Sequence, residues 1–261
     1  MSIRTYGISH ARRAGDPRRV APMSARPSRT RNVLTAGNAV LIAAAMVGCT
    51  PEESEQTPGG GASSTEGPAP AVQLAQFSDG SRLDPGRYVL SIPEEPWPQV
   101  PVLSVPEGFE AIDGGVGVRT PDFSRYVWIY TVDSVYAHPC QTGVGPEPVG
   151  PTVADLANAL AAVQLLASTE PVPVTVGGYD GLYVELSVPT DVVAACPVER
   201  FNLWPERWQE FAGQVDMVWI VDVEGQRVVF DASHLATVSP EDAAEIKDMV
   251  TTATFVPTEA T

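Results

Sequence analysis

The sequence predicts an α+β fold, a mainly antiparallel sheet with two principal helices, and three observations carry that reading. Two stretches, "VPVTVGGYDGLYVELSVP" (172–189) and "QVDMVWIVDVEGQRVVFDA" (214–232), read as β-hairpins. Two others, "PTVADLANALAAVQLLAST" (151–169) and "SPEDAAEIKDMV" (239–250), read as helices. Hairpins punctuated by helices, rather than strands alternating with helices, point to an antiparallel sheet.

The elements follow in order. "RYVWIYTVDSVYA" (125–137) is aromatic and β-branched, with Tyr126, Trp128, Tyr130 and Val132 on one side, and predicts a strand. In the first helix Val153, Leu156, Leu160 and Val163 share a face. Thr152 is placed to cap it, and Asp155 three residues on makes a capping-box variant. The first hairpin turns around Gly177, Gly178 and Gly181, with Leu182, Val184, Leu186 and Val188 on one face. The second turns at Glu224-Gly225, and its strands are apolar on both faces, which implies cover on both sides of the sheet. Ser239 as cap, Pro240 at the first position and acids in the first turn start the last helix. "TATFVP" (252–257) closes as a short strand. Residues 73–261 are long enough for a single core, and we expect one globular domain there.

Upstream, charge and composition change sharply. Eight of the fifteen arginines fall in residues 1–48 against one acid, Asp16. From Cys49 onward the chain has 8 basic and 31 acidic residues, a formal net charge of −23. Such a balance opposes nucleic-acid binding, which draws its affinity from Lys and Arg on phosphates. It equally opposes charge-driven binding to anionic headgroups.

Val33 to Gly48 is an uncharged apolar run of sixteen residues. That is short for a helix crossing hydrocarbon, which takes roughly 20 residues, but it suits a signal-peptide core preceded by Arg26, Arg29 and Arg31. Its end, Met46-Val47-Gly48-Cys49, resembles the lipobox of bacterial lipoproteins, with Met46 where leucine is commonest. The resemblance implies that residues 1–48 are a lipoprotein signal peptide and that Cys49 becomes the lipidated N-terminus. It also implies an anchor in the cell membrane, on the extracytoplasmic face. Residues 1–22 make the positive region overlong, so translation is expected to start at Met23. No twin arginine directly precedes the apolar core, which favours general secretion. Residues 49–72 are rich in Pro, Gly, Ser, Thr and Glu and read as a disordered tether.

With Cys49 assigned to lipid, Cys140 and Cys196 remain as an even pair in an exported protein and are expected to form a disulfide. A bridge there closes a loop of about 57 residues, worth roughly 4 kcal/mol in the chain-entropy model.

Chemical motifs are sparse. G-x-S-x-G, the P-loop, the dinucleotide fingerprint and the EF-hand loop are all missing. "DASH" (231–234) sets Ser233 beside His234, but neighbouring residues of a strand face opposite ways. A hydrolase assembled around Ser233, His234 and an acid is therefore the alternative rather than the main expectation. His138, Cys140, Cys196 and His234 match no compact zinc spacing, and no cofactor is expected. "FNLWPERWQEF" (201–211) places Trp204 and Trp208 four apart, with Pro205 positioned to start a short helix between them. Such a pair can anchor a ligand or partner, or plug the domain's own core.

"GPTVADLANAL", "VTVGGYDGLYVELSVP" and "GQVDMVWIVDVEGQRVVFDAS" together resemble a family of uncharacterised extracytoplasmic domains from high-GC Gram-positive bacteria, over roughly residues 85–261. The order of elements resembles a PsbP-like sandwich by topology alone, which carries no function. The expectation is a membrane-anchored envelope lipoprotein with a non-catalytic domain that binds an envelope ligand or protein. The alternatives are the hydrolase and a structural accessory subunit.

Overall fold

The computed structural model describes residues 70–90, 97–112, 114–118, 124–141, 143–192, 196, 201–209 and 211–258. The expected signal peptide (1–48), the start at Met23, the lipidated Cys49 and nearly all of the tether (49–72) lie outside the described residues.

Along the chain come β1 (Val72–Gln73), β2 (Gly86–Val89), β3 (Gln99–Val105), β4 (Glu110–Ile112), β5 (Gly115–Val118) and β6 (Arg125–Tyr130). Two short strands follow, β7 (Ser134–Val135) and β8 (Glu147–Pro148), then helix α1 (Val153–Ala161) and β9 (Ala167–Ser168). The two long hairpins are β10 (Val172–Val176) with β11 (Tyr179–Ser187), and β14 (Val215–Val223) with β15 (Gln226–His234). Between them sits a small hairpin, β12 (Phe201–Trp204) and β13 (Arg207–Gln209). Helix α2 (Pro240–Thr251) and β16 (Thr254–Pro257) complete the domain.

The main sheet runs β10-β11-β14-β15-β6-β5-β4, with β9 added beside β11, and every pairing in it is antiparallel. A second sheet runs β1-β2-β3-β16. The α+β class, with an antiparallel sheet and two principal helices, is thus the architecture of the domain. No helix among the described residues is long and apolar enough to cross a membrane.

The central strands are covered on both faces, as their sequence demands. Met217, Trp219 and Val221 of β14 and Val228 and Phe230 of β15 pack with the second sheet and with Ile246, Met249 and Val250 of α2. The alternate residues, Val218, Ile220 and Val229, pack instead with Leu156 and Leu160 of α1 and with Leu203 and Trp204 of the small hairpin. Each large apolar side chain so buried contributes roughly 1.5–3 kcal/mol.

Local chemistry explains the boundaries. The β14–β15 turn has Glu224 at φ 54° and Gly225 at φ 88°, both in the left-handed region that a two-residue hairpin turn with the strands' own twist requires. Gly181 is needed where β11 and β14 pair, because a Cβ there would lie 2.2 Å from the Ile220 carbonyl oxygen. Thr152 and Asp155 form the expected capping box, each side chain serving the other's backbone N–H. Ser239 and Pro240 start α2 as expected.

Three expectations are corrected. The strand expected over 125–137 ends at Tyr130, with β7 a separate two-residue piece. Helix α1 stops at Ala161, and Leu165 at φ 70° turns the chain into β9. No helix forms between Trp204 and Trp208, which sit on opposite strands of the β12–β13 hairpin. Pro205 with its fixed φ, followed by Glu206 at φ 71°, suits a tight type II turn, a place proline fills as readily as a helix start.

Replacing Thr152 by Ala is expected to cost about 1 kcal/mol of stability, since two first-turn contacts are lost with one hydroxyl. A urea denaturation midpoint unchanged from the parent would show that the cap is not made in solution.

Candidate functional site

A buried polar cluster lies where the small hairpin covers the main sheet. The sheet register sets Asp216 of β14 opposite Ser233 of β15, and Ser233 opposite Tyr126 of β6. One row further along, Asp231 lies between Val218 and Trp128. The strands' period of two aims Asp216, Asp231, Ser233, Tyr126 and Tyr130 at the same face. There the hairpin brings down Arg207, whose Nη2 lies 2.7 Å from Asp216 Oδ2 and whose Nε donates to Asp231 Oδ2. Nη1 of Arg207 donates to the Trp208 carbonyl, and the guanidinium sits 5.4 Å from the centre of the Tyr126 ring.

Neutral groups complete the cluster. Gln214 Nε2, with two hydrogens to donate, lies 3.0 Å from Tyr126 Oη, 3.1 Å from Ser233 Oγ and 3.2 Å from Asp216 Oδ1. Ser233 Oγ donates to Asp216 Oδ1 at 2.5 Å. Gln209, on the same hairpin face as Arg207, is wholly buried. Its amide nitrogen and oxygen, Asp231 Oδ1 and Trp204 Nε1 have no hydrogen-bond partner among the described residues.

Arg207 is 3% exposed, and Asp216 and Asp231 are both at 0%, so two acids share one cation out of water. Burial works against the charge of Arg207, yet Asp216 and Asp231 outweigh it and raise the guanidinium well above its usual range. Burial pushes the Asp231 carboxyl up to about 7, against the pull of Arg207 and with a further push from Asp216. Burial likewise raises the Tyr126 and Tyr130 hydroxyls, so both stay protonated. Chemically the cluster can store a proton and lock two layers together.

The residues singled out in the sequence fall in different places. Cys140 and Cys196 are joined in a disulfide with Cα atoms 5.1 Å apart, packed beside Val188 and Phe201 at the foot of the small hairpin. Trp204 is 2% exposed and stacks edge-on against Tyr130 at 5.3 Å, whereas Trp208 is 41% exposed on the hairpin's outer side. The pair therefore lines no common groove. Ser233 is sealed in the polar cluster, while His234 turns to the other face and its Nδ1 meets the Leu235 carbonyl oxygen at 3.0 Å. His138 is far along the chain and pairs with Gln164 at 3.0 Å. Ser233 and His234 thus lie on opposite faces of the sheet, apart from one another.

Two open grooves flank the domain. One of about 650 Å³ lies between α2 and the β2–β3 pair, with Val105, Pro106, Ala244 and Met249 as its apolar surface. Arg87, Glu241, Glu245 and Asp248 also line it. Glu245 and its neighbour Asp242 are held by Arg125 at 2.9 and 2.6 Å. A smaller groove of about 450 Å³ lies at the start of α1, beside Asp180, Asp222 and Arg227. Sequence reasoning missed both the groove and the buried cluster. Its one available signal was a pair of aspartates, Asp216 and Asp231, inside strands that are otherwise apolar on both faces.

Replacing Arg207 by Met is expected to destabilise the domain by about 3–5 kcal/mol at pH 5, where the hairpin is seated, because the two buried acids lose the cation that balances them. Denaturant unfolding measures it, and a loss below about 1 kcal/mol would mean the acids are reached by water. Comparison with family models, with curated proteins and with solved structures gave no match, so function is argued from these residues alone.

Proposed function

We propose that the chain is an extracytoplasmic lipoprotein, anchored to the cell membrane through lipid on Cys49, whose domain binds an envelope ligand or protein without chemistry of its own. The binding half rests on one observation. The titratable groups of the polar cluster are locked inside, while the groove between α2 and the β2–β3 pair stands open with an apolar surface and three carboxylates. Such a groove suits a partner segment of apolar and basic character, which an acidic surface would also steer toward it.

The location half is supported by the Cys140–Cys196 disulfide, a bond that persists in oxidising compartments, and by the lipobox-like Met46-Val47-Gly48-Cys49. The proposed family kinship with extracytoplasmic domains of high-GC Gram-positive bacteria agrees with both.

Cys49→Ser is expected to move the protein from the membrane fraction and to abolish incorporation of a clickable fatty acid. Retention of label by the variant would refute lipidation at Cys49. A photo-crosslinking residue at Ala244 or Thr252, in the groove, is expected to give a discrete adduct in intact envelopes. The same probe at Glu170, exposed and away from the groove, is expected to give none. Equal labelling from both positions would remove the groove as the binding face.

A further inference from the structure

The sheet face beneath the small hairpin is divided between apolar and ionic contacts. Val184, Leu186, Val218 and Ile220 meet α1 through apolar contacts, which are indifferent to pH. The hairpin closes on Asp216 and Asp231, and its Arg207 is the cation between them. With both acids ionised, that enclosure holds one positive and two negative charges.

Among the described residues, few titratable or charged groups face the cluster. β6 contributes Tyr126 and Tyr130, β13 contributes Arg207, and β14 and β15 contribute one aspartate each. Arg125 of β6 and His234 of β15 face the other way, the former into Asp242 and Glu245 of α2. Glu206 lies in the exposed turn. No second cation among these groups offsets the extra carboxylate.

We propose that the β12–β13 hairpin is a proton-operated latch. With one proton held by the two buried acids, Arg207 balances the remaining carboxylate and keeps the hairpin down. Release of that proton to solvent leaves an unbalanced buried negative charge, which hydration relieves by lifting the hairpin. Lifting would uncover Phe201, Leu203 and Trp204, all buried in the closed state. It would also move Trp208, whose carbonyl is held by Arg207. The Oδ1 atom of Asp231, without a hydrogen-bond partner among the described residues, is where a carboxylic acid proton sits without breaking the Arg207 contact at Oδ2.

The direction of the effect follows from linkage. The folded Asp231 carboxyl is raised above its unfolded value, so its stabilising contribution is complete below the ordinary aspartate range. That contribution is lost as pH rises toward about 7, and changes no further above it.

The test is hydrogen exchange on the full chain in detergent between pH 5 and 8, with rates corrected for intrinsic exchange. Opening of residues 201–209 is expected to rise by up to roughly tenfold per pH unit toward neutrality, then level off. Amides of β14 facing α1 are expected to open less steeply. Asp231→Asn copies the shape of the protonated acid and is expected to hold the hairpin closed, with a flat profile. Asp216→Asn, which also leaves one carboxylate for one guanidinium, is expected to flatten the profile as well. A wild-type hairpin whose opening is flat across this range overturns the latch. So does an Asn variant that still follows the wild-type curve. If one Asn variant does not fold, the other and the wild-type profile decide the matter.

Discussion

The placement of Arg207 between Asp216 and Asp231 is the constraint on which the second face of the main sheet depends. Two carboxylates on adjacent central strands cannot be covered by an apolar helix, because each would be stripped of water without a counter-charge. Helix α1 accordingly covers only the apolar part of that face, through Leu156 and Leu160. The remaining part needs an element that carries a cation and can lie flat, and the β12–β13 hairpin supplies both. A buried ion cluster of this kind adds little net stability over a well-packed apolar one. What it supplies is a fixed seat, since both contacts form only when Arg207 lies between Asp216 and Asp231.

The other contacts of the hairpin follow from that placement. Trp204 stacks on Tyr130, the Leu203 carbonyl accepts from the Tyr136 backbone, and the Asn202 N–H reaches the Pro139 carbonyl. These contacts tie the hairpin to the chain just after β6, and the Cys140–Cys196 bridge fixes its foot to the same stretch. A disulfide spanning 56 positions acts mainly on the unfolded chain, by removing its freedom. The two devices are complementary: the bridge keeps the hairpin near the sheet whatever the pH, and the ion cluster decides whether it is seated. A latch that opens on a covalent tether can close again without a search.

Elements with local signals were legible in the sequence, and those that depend on distant partners were not. Gly177-Gly178 and Glu224-Gly225 mark the long hairpins, and Thr152 and Ser239 mark the helix starts, because a turn or a cap is decided by a few adjacent residues. The two-faced apolar pattern of β14 and β15 gave the layering for the same reason. Residues 73–124 carry turn signals too, at Asp79-Gly80, Glu107-Gly108 and Asp113-Gly114, but between them lie only short or proline-broken apolar runs, and the longest strand there, β3, is stabilised by pairing with β16, far along the chain. "FNLWPERWQEF" misleads because Pro205 suits both a helix start and a type II turn; only the two aspartates waiting on the sheet choose between them. Arg207 alone reads as one more exposed charge. Its role exists only once residues 216 and 231 are neighbours.

The same division bears on function. The buried polar cluster is sealed beneath a hairpin, while the groove between α2 and the β2–β3 pair is open, with an apolar surface and acids around it. The groove and the latch lie on different faces of one sheet, yet β6 and β15 serve both. Tyr126 and Asp231 face the latch, while Arg125 of β6 reaches Glu245, one of the groove's carboxylates. Between the two faces β6 is the shared element, and protonation beneath the hairpin would have to act through it to reach the groove.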